Sequence, residues 1–187
     1  MTLEEMKKKV VRLIEEVSTD PKKITDDPDI EVKLNDVINQ IMFELARMKK
    51  IADYVEIPVN KGDLIKFQDI TEETDSEVYQ IDIIKGVEYE LKAEGTIIKA
   101  LEDGVAEIEY CKYPTRIDDK TIANTYEFEL SEDALEIMPY GVAADLLKSD
   151  VSNAYGNVYA QRYQQMKQEL DPRYNMGSIY IEGGIEV

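Results

Sequence analysis

The 187-residue chain has no histidine, no tryptophan, one cysteine and three phenylalanines. Without histidine it lacks both the usual general base and the commonest zinc ligand, which sets aside most hydrolase, transferase and metalloprotein chemistry. The lone Cys111 has no intramolecular disulfide partner, so a reducing setting is expected. With no imidazole in the chain, that thiol cannot belong to a thiol–imidazole pair. No early basic-then-apolar segment resembles a signal peptide, and no run approaches the roughly 20 apolar residues of a membrane span. Glycine-rich phosphate loops, nucleophile elbows and Cys/His metal spacings are missing too.

Positive charge is also scarce. Against 40 acidic residues stand 22 basic ones, giving a net charge of −18 and a pI near 4.4. Such a surface repels phosphate, which disfavours tight binding to nucleic acid or to an anionic membrane. The excess is uneven: residues 57–131 hold 18 acids and 8 bases, whereas residues 1–56 hold 13 and 10. Two acid clusters are the only candidates for a metal. Asp26, Asp27 and Asp29 sit where a helix begins, and acids are expected there for capping and dipole reasons. Glu72, Glu73, Asp75 and Glu77 read as a solvated loop. Neither matches the calcium-loop pattern. No catalytic, cofactor-binding or metal-binding residue is assigned, and no cofactor is expected.

The remaining pattern runs from helix to strand and back to helix. "TLEEMKKKVVRLIEEVS" opens with a capping box, Thr2 to Glu5, and carries Leu3, Met6, Val10, Leu13 and Val17 at helical spacing. Asp27 and Pro28 form an N-cap and first helical position. From there Ile30, Leu34, Val37, Ile41, Leu45 and Met48 predict a helix to about Tyr54. The next 70 or so residues are rich in β-branched and aromatic side chains, with turn signals at Lys85-Gly86, Glu94-Gly95 and Asp103-Gly104. They predict an antiparallel meander, ended by Pro114. Ser131 then caps a helix with Pro139 inside it, where a bend is expected, and Gly141 leaves room for another backbone. A last helix spans about Ser152 to Leu170. The expected class is therefore α+β: a helical core of about four helices (1–56 and 131–172), an inserted small antiparallel β-domain (57–130), and an extended C-terminal tail (173–187).

Twelve tyrosines make a skewed aromatic set. Tyr155, Tyr159 and Tyr163 form an i, i+4, i+8 ladder, which suits either the face of a helix on its own core or an interface with a partner. Arg162 among them could fork to a partner carboxylate. The closing "GSIYIEGGIEV" alternates like a strand, with Ile179, Tyr180 and Ile181 before a Gly183-Gly184 joint and Ile185 and Val187 after it. The upstream turns already account for the inserted strands, so these tail residues are expected to pair with a neighbouring chain by strand addition.

The stretch "ALEIMPYGVAADLLKSDVSNAYGNVYAQRYQQMKQELDP" resembles the closing helices of bacteriophage head–tail adaptor (connector, head-completion or neck) proteins. The preceding "DGVAEIEYCKYPTRI" and "LSEDALE" share that resemblance, and the layout of the whole chain is similar to neck proteins of short-tailed phages. The resemblance implies a structural, non-enzymatic protein of the virion, assembled in the host bacterial cytoplasm. It implies a homo-oligomeric ring, typically of twelve subunits, at the head–tail junction. Its partners would be the portal protein and a tail-terminator or other neck or tail protein, with DNA passing through without specific binding. An acidic binding module, a DNA mimic inhibiting a DNA-binding protein, is the alternative that the charge raises. Glu107 and Glu109, repeating along one strand, support it.

Overall fold

A computed structural model of the chain describes residues 1–20, 22–118, 126–149 and 154–170. The most buried helix explains the rest of the fold. In α4 (Glu132–Leu146), Ala134, Leu135, Ile137, Met138, Pro139, Gly141, Val142 and Ala143 are all buried, so most of its circumference is apolar, with Glu132, Asp133 and Glu136 on the exposed side. Such a helix needs cover from more than one neighbour. It is covered by α1 (Leu3–Leu13), α2 (Pro28–Met48) and α5 (Ala154–Glu169), all of which pack on it. Leu3, Met6 and Val10 from α1 and Leu34, Ile38, Met42 and Leu45 from α2 meet Ala134, Met138 and Val142 in one apolar cluster. Pro139 lies buried within a continuous helix.

The local start signals act as expected. Thr2 Oγ1 accepts from the Glu5 N–H at 3.2 Å, and Glu5 Oε2 accepts from the Thr2 N–H at 2.9 Å. Asp27 Oδ1 accepts from the N–H groups of Asp29 and Ile30, with Pro28 at the first helical position. Asp26 instead takes the Ser18 hydroxyl at 2.7 Å. The first helix ends at Leu13, so Val17 lies beyond it and is exposed, contrary to its expected place on the stripe. Ser131 precedes α4 but makes no side-chain cap; its carbonyl accepts from the Leu135 N–H at 3.0 Å.

The second helix stops at Met48 rather than near Tyr54, and Ile51–Val59 is strand β1. Nothing from Lys49 to Tyr54 forbids helix. All nine residues of β1 pair with β6 (Gly104–Lys112), from Ile51 opposite Lys112 to Val59 opposite Gly104. That ladder outweighs modest helix propensity. The strands thus run from Ile51 to Lys112, so they begin before the expected bound at 57 and end before the one at 130. Between β6 and α4, Ile117, Phe128 and Leu130 are buried in the helical core.

The expected meander is two three-stranded antiparallel sheets. One has the order β1–β6–β3, with β3 at Val78–Lys85. The other has the order β2–β5–β4, with β2 at Leu64–Lys66, β4 at Tyr89–Lys92 and β5 at Ile97–Ala100. Of the turn signals, only Glu94-Gly95 closes a hairpin, between β4 and β5; at Lys85-Gly86 and Asp103-Gly104 the chain changes sheet. Gly86 has φ +82° and would set a Cβ 2.3 Å from the Val105 carbonyl oxygen, so the crossing requires glycine. Val59, Ile65, Ile98, Ala100, Ala106, Ile108 and Tyr110 fill a second core between the sheets. Helix α3 (Phe67–Thr74) adds the fully buried Ile70, so Glu72 and Glu73 ride on a helix and not on the loop expected of them.

Candidate functional site

Helix α5 carries the tyrosine ladder and is an outer helix. Of its sixteen residues, only Gly156 and Tyr163 are buried. The ladder divides by depth. Tyr163, 4 % exposed, lies against Gly141 and Ile41, so the space at Gly141 admits this ring and not a second backbone. Burial, reinforced by the nearby Glu44 carboxylate, raises the Tyr163 hydroxyl well above the ordinary tyrosine range. Tyr159 is half-buried and donates its hydroxyl to the Leu13 carbonyl at 2.7 Å, satisfying a group at the end of α1. Tyr155 is 60 % exposed and stacks on Tyr159 with ring centres 6.5 Å apart.

The charges of α5 differ from those of the chain around it. No acidic residue occurs from Ala154 to Gln168, in a chain of net charge −18. Lys167 pairs with Glu44 of α2 at 2.6 Å and lies 5.2 Å from the Tyr163 ring centre. Arg162 lies 4.5 Å over the Tyr140 ring. Among the described residues it has no carboxylate within ion-pair distance. Arg162 and Val158 are both exposed, Val158 by 54 %. Tyr155, Val158 and Arg162 fall at i, i+3 and i+7, a single exposed stripe whose Arg162 end rests on the Tyr140 ring of α4. Val158 escaped the sequence reading, although its i+3 spacing from Tyr155 was a visible signal. The other interface candidates, Ile179, Tyr180, Ile181, Ile185 and Val187, lie outside the described residues.

A second surface lies on the outer face of the β1–β6–β3 sheet. The registers align Tyr54, Glu109 and Ile83 in one row, Glu56, Glu107 and Lys85 in the next, and Pro58 with Val105 in a third. Tyr54 is 66 % exposed, Val105 46 % and Ile83 43 %. Lys85 pairs with Glu109 at 2.9 Å, which leaves Glu56 and Glu107 as like charges directly opposite each other. Such a pair opposes sheet formation.

A cleft of about 490 Å³ lies between α2 and α5, above Gly141 and Ala144 of α4, with Gln40, Glu44 and Lys148 among its lining residues. None of its described lining residues is a Ser, Thr or Cys. Cys111 is buried elsewhere, on β6, and donates to Asp82 Oδ2 at 3.1 Å. Burial, then the Asp82 carboxylate, pushes its thiol up to about 12, so it remains protonated at neutral pH. Among the described residues no cluster of three or more Cys, Asp or Glu is placed to hold a metal ion, and no helix is long and apolar enough to cross a membrane.

No protein-family model matches the chain, and no curated protein is detectably similar to it in sequence.

Proposed function

We propose that the chain is a structural ring subunit of a bacteriophage head–tail junction, joining the portal to the tail, extending the DNA channel and catalysing no reaction. The observation that carries this reading is α5: a sixteen-residue helix that buries only Gly156 and Tyr163 and presents Tyr155, Val158 and Arg162 outward. Side chains of that type, large and apolar with a cation beside them, suit a protein interface. A ring needs two different patches on each subunit, because heterologous contacts must close head to tail. The outer sheet face is a second such patch. Forty acids also suit a channel wall along which DNA must slide without binding. Native mass spectrometry of the purified chain mixed with its portal protein tests the proposal. A discrete high-order complex is expected; monomers persisting beside unbound portal would sink it.

The acidic-module reading draws on one observation, the grouping of Glu56, Glu107 and Glu109 on the outer sheet face. It fits less well, since exposed Tyr54, Ile83 and Val105 interrupt the acids and Lys85 already neutralises one of them. A salt-sensitive complex with a basic DNA-binding protein would favour it.

A further inference from the structure

We propose that the Tyr155–Val158–Arg162 stripe of α5 docks on the outer face of the β1–β6–β3 sheet of a second copy, with Arg162 entering between Glu56 and Glu107. The inference rests on the ring reading and gives it a specific contact. Three features of the two surfaces match. The stripe carries a cation with no carboxylate of its own among the described residues, on a helix free of acids from Ala154 to Gln168. The sheet face carries two opposed carboxylates that a guanidinium would relieve by bridging both, as Arg does bidentately. Each patch also surrounds its charge with exposed apolar groups: Tyr155 and Val158 on one, Tyr54, Ile83 and Val105 on the other.

The dimensions agree. Seven residues of helix from Tyr155 to Arg162 rise about 10 Å. The sheet rows from Tyr54 to Pro58 extend about 13 Å. The stripe can therefore lie along the rows with Val158 over an apolar row when Arg162 reaches the acidic one. Because stripe and sheet are different patches of the same chain, the contact is heterologous. Repeated by a rotation that divides a full turn, with no rise, it closes into a ring.

The test is a charge swap in the full-length chain, read by sedimentation velocity over a concentration series. Arg162→Glu and Glu107→Arg should each weaken self-association about tenfold or more by placing like charges together. The double variant should recover to within about threefold of wild type, which a misfolded protein could not do. Mixing Val158→Cys with Val105→Cys protein under mild oxidant should give a mixed disulfide dimer, with far less from either variant alone. Buried Cys111 should not interfere. Undiminished assembly in both single variants, without the mixed disulfide, overturns this contact and leaves the ring reading standing. Loss of portal binding on Arg162→Glu, without the mixed disulfide, assigns the stripe to the portal and likewise overturns the self-contact. A wild-type chain that stays monomeric alone and with its portal overturns the ring reading together with the contact.

Discussion

The ring of Tyr163 on α5 fills the notch at Gly141 on α4, where an added Cβ would come within 2.8 Å of Cε2, 3.0 Å of Cδ2 and 3.1 Å of Ile41 Cγ2. Glycine inside a helix ordinarily loses up to about 1 kcal/mol relative to alanine. Here the substitution meets a buried ring already covered by Lys167, and overpacking of this kind costs about 1–3 kcal/mol. Gly141→Ala should therefore lower the unfolding free energy by about 1 kcal/mol, and Gly141→Val by more. Urea denaturation measures it. A raised midpoint for Gly141→Ala would mean that the ring shifts aside and helix propensity governs.

Asn39 joins the two halves of the chain. Its side chain is buried, donates from Nδ2 to the Ile117 carbonyl at 2.8 Å and accepts at Oδ1 from the Ile117 N–H at 2.8 Å. It thereby ties the connection leaving the β-domain to α2. Asn39→Leu would keep the volume and strand both backbone groups, at about 1–3 kcal/mol for each. The expected result is a marked drop in thermal midpoint with the secondary structure retained in circular dichroism. A change below about 0.5 kcal/mol would show that water replaces the amide.

The helix starts were legible because the groups that make them lie within three residues: Thr2 with Glu5, and Asp27 with Asp29 and Ile30. The strand at Ile51–Val59 was not, because its partner is Gly104–Lys112, some 50 residues on. Turn dipeptides announced reversals without saying which sheet the next strand would join, so two sheets read as one meander. Helix α3 anchors itself with one buried residue, Ile70, too little for a periodic signal. The tyrosine ladder was visible, but its division into buried Tyr163, bonded Tyr159 and exposed Tyr155 depends on how α5 lies against α4. Asn39 left a trace: a polar residue beside Ile38 and Met42 on an otherwise apolar helix face, where it must find a partner.

Cys111 should be chemically silent in the native protein. Its thiol is fully buried and hydrogen-bonded to Asp82, with its pKa pushed up to about 12. Ellman's reagent at neutral pH should label native chain at least about a hundredfold more slowly than chain in guanidinium, since the thiolate is the reactive form. Comparable rates would mean that β3 and β6 separate readily in solution.

The same burial predicts loss of stability in alkali. Burial pushes Cys111 up to about 12 from 9.0 and Tyr126 up to about 12 from 10.0, and it also raises Tyr79 and Tyr163. In each case the folded state holds a proton that the unfolded state releases first. The associated stability is fully present below about pH 9 and is lost as pH rises toward 12. The thermal midpoint should fall by roughly 5–10 °C between about pH 8.5 and 10.5. A flat profile across that window would contradict the burial of these groups.

Glu107 is expected to cost the monomer stability. It lies directly opposite Glu56 on the exposed face of the β1–β6 pair, and like charges in that position are unfavourable by a few tenths to about 1 kcal/mol. Glu107→Gln removes the repulsion and keeps the shape of the side chain. It also removes some attraction for Lys85, whose main partner is Glu109 at 2.9 Å. The net expectation is a gain of about 0.3–0.8 kcal/mol in urea unfolding at low ionic strength, shrinking as salt screens the pair. If Arg162 of a second copy bridges Glu56 and Glu107, the same substitution weakens self-association while the monomer grows more stable. Opposite signs in the two measurements separate an interface role from a structural one. A substitution that destabilises the monomer would show instead that Glu107 is held by its own chain and has no charge to offer a neighbour.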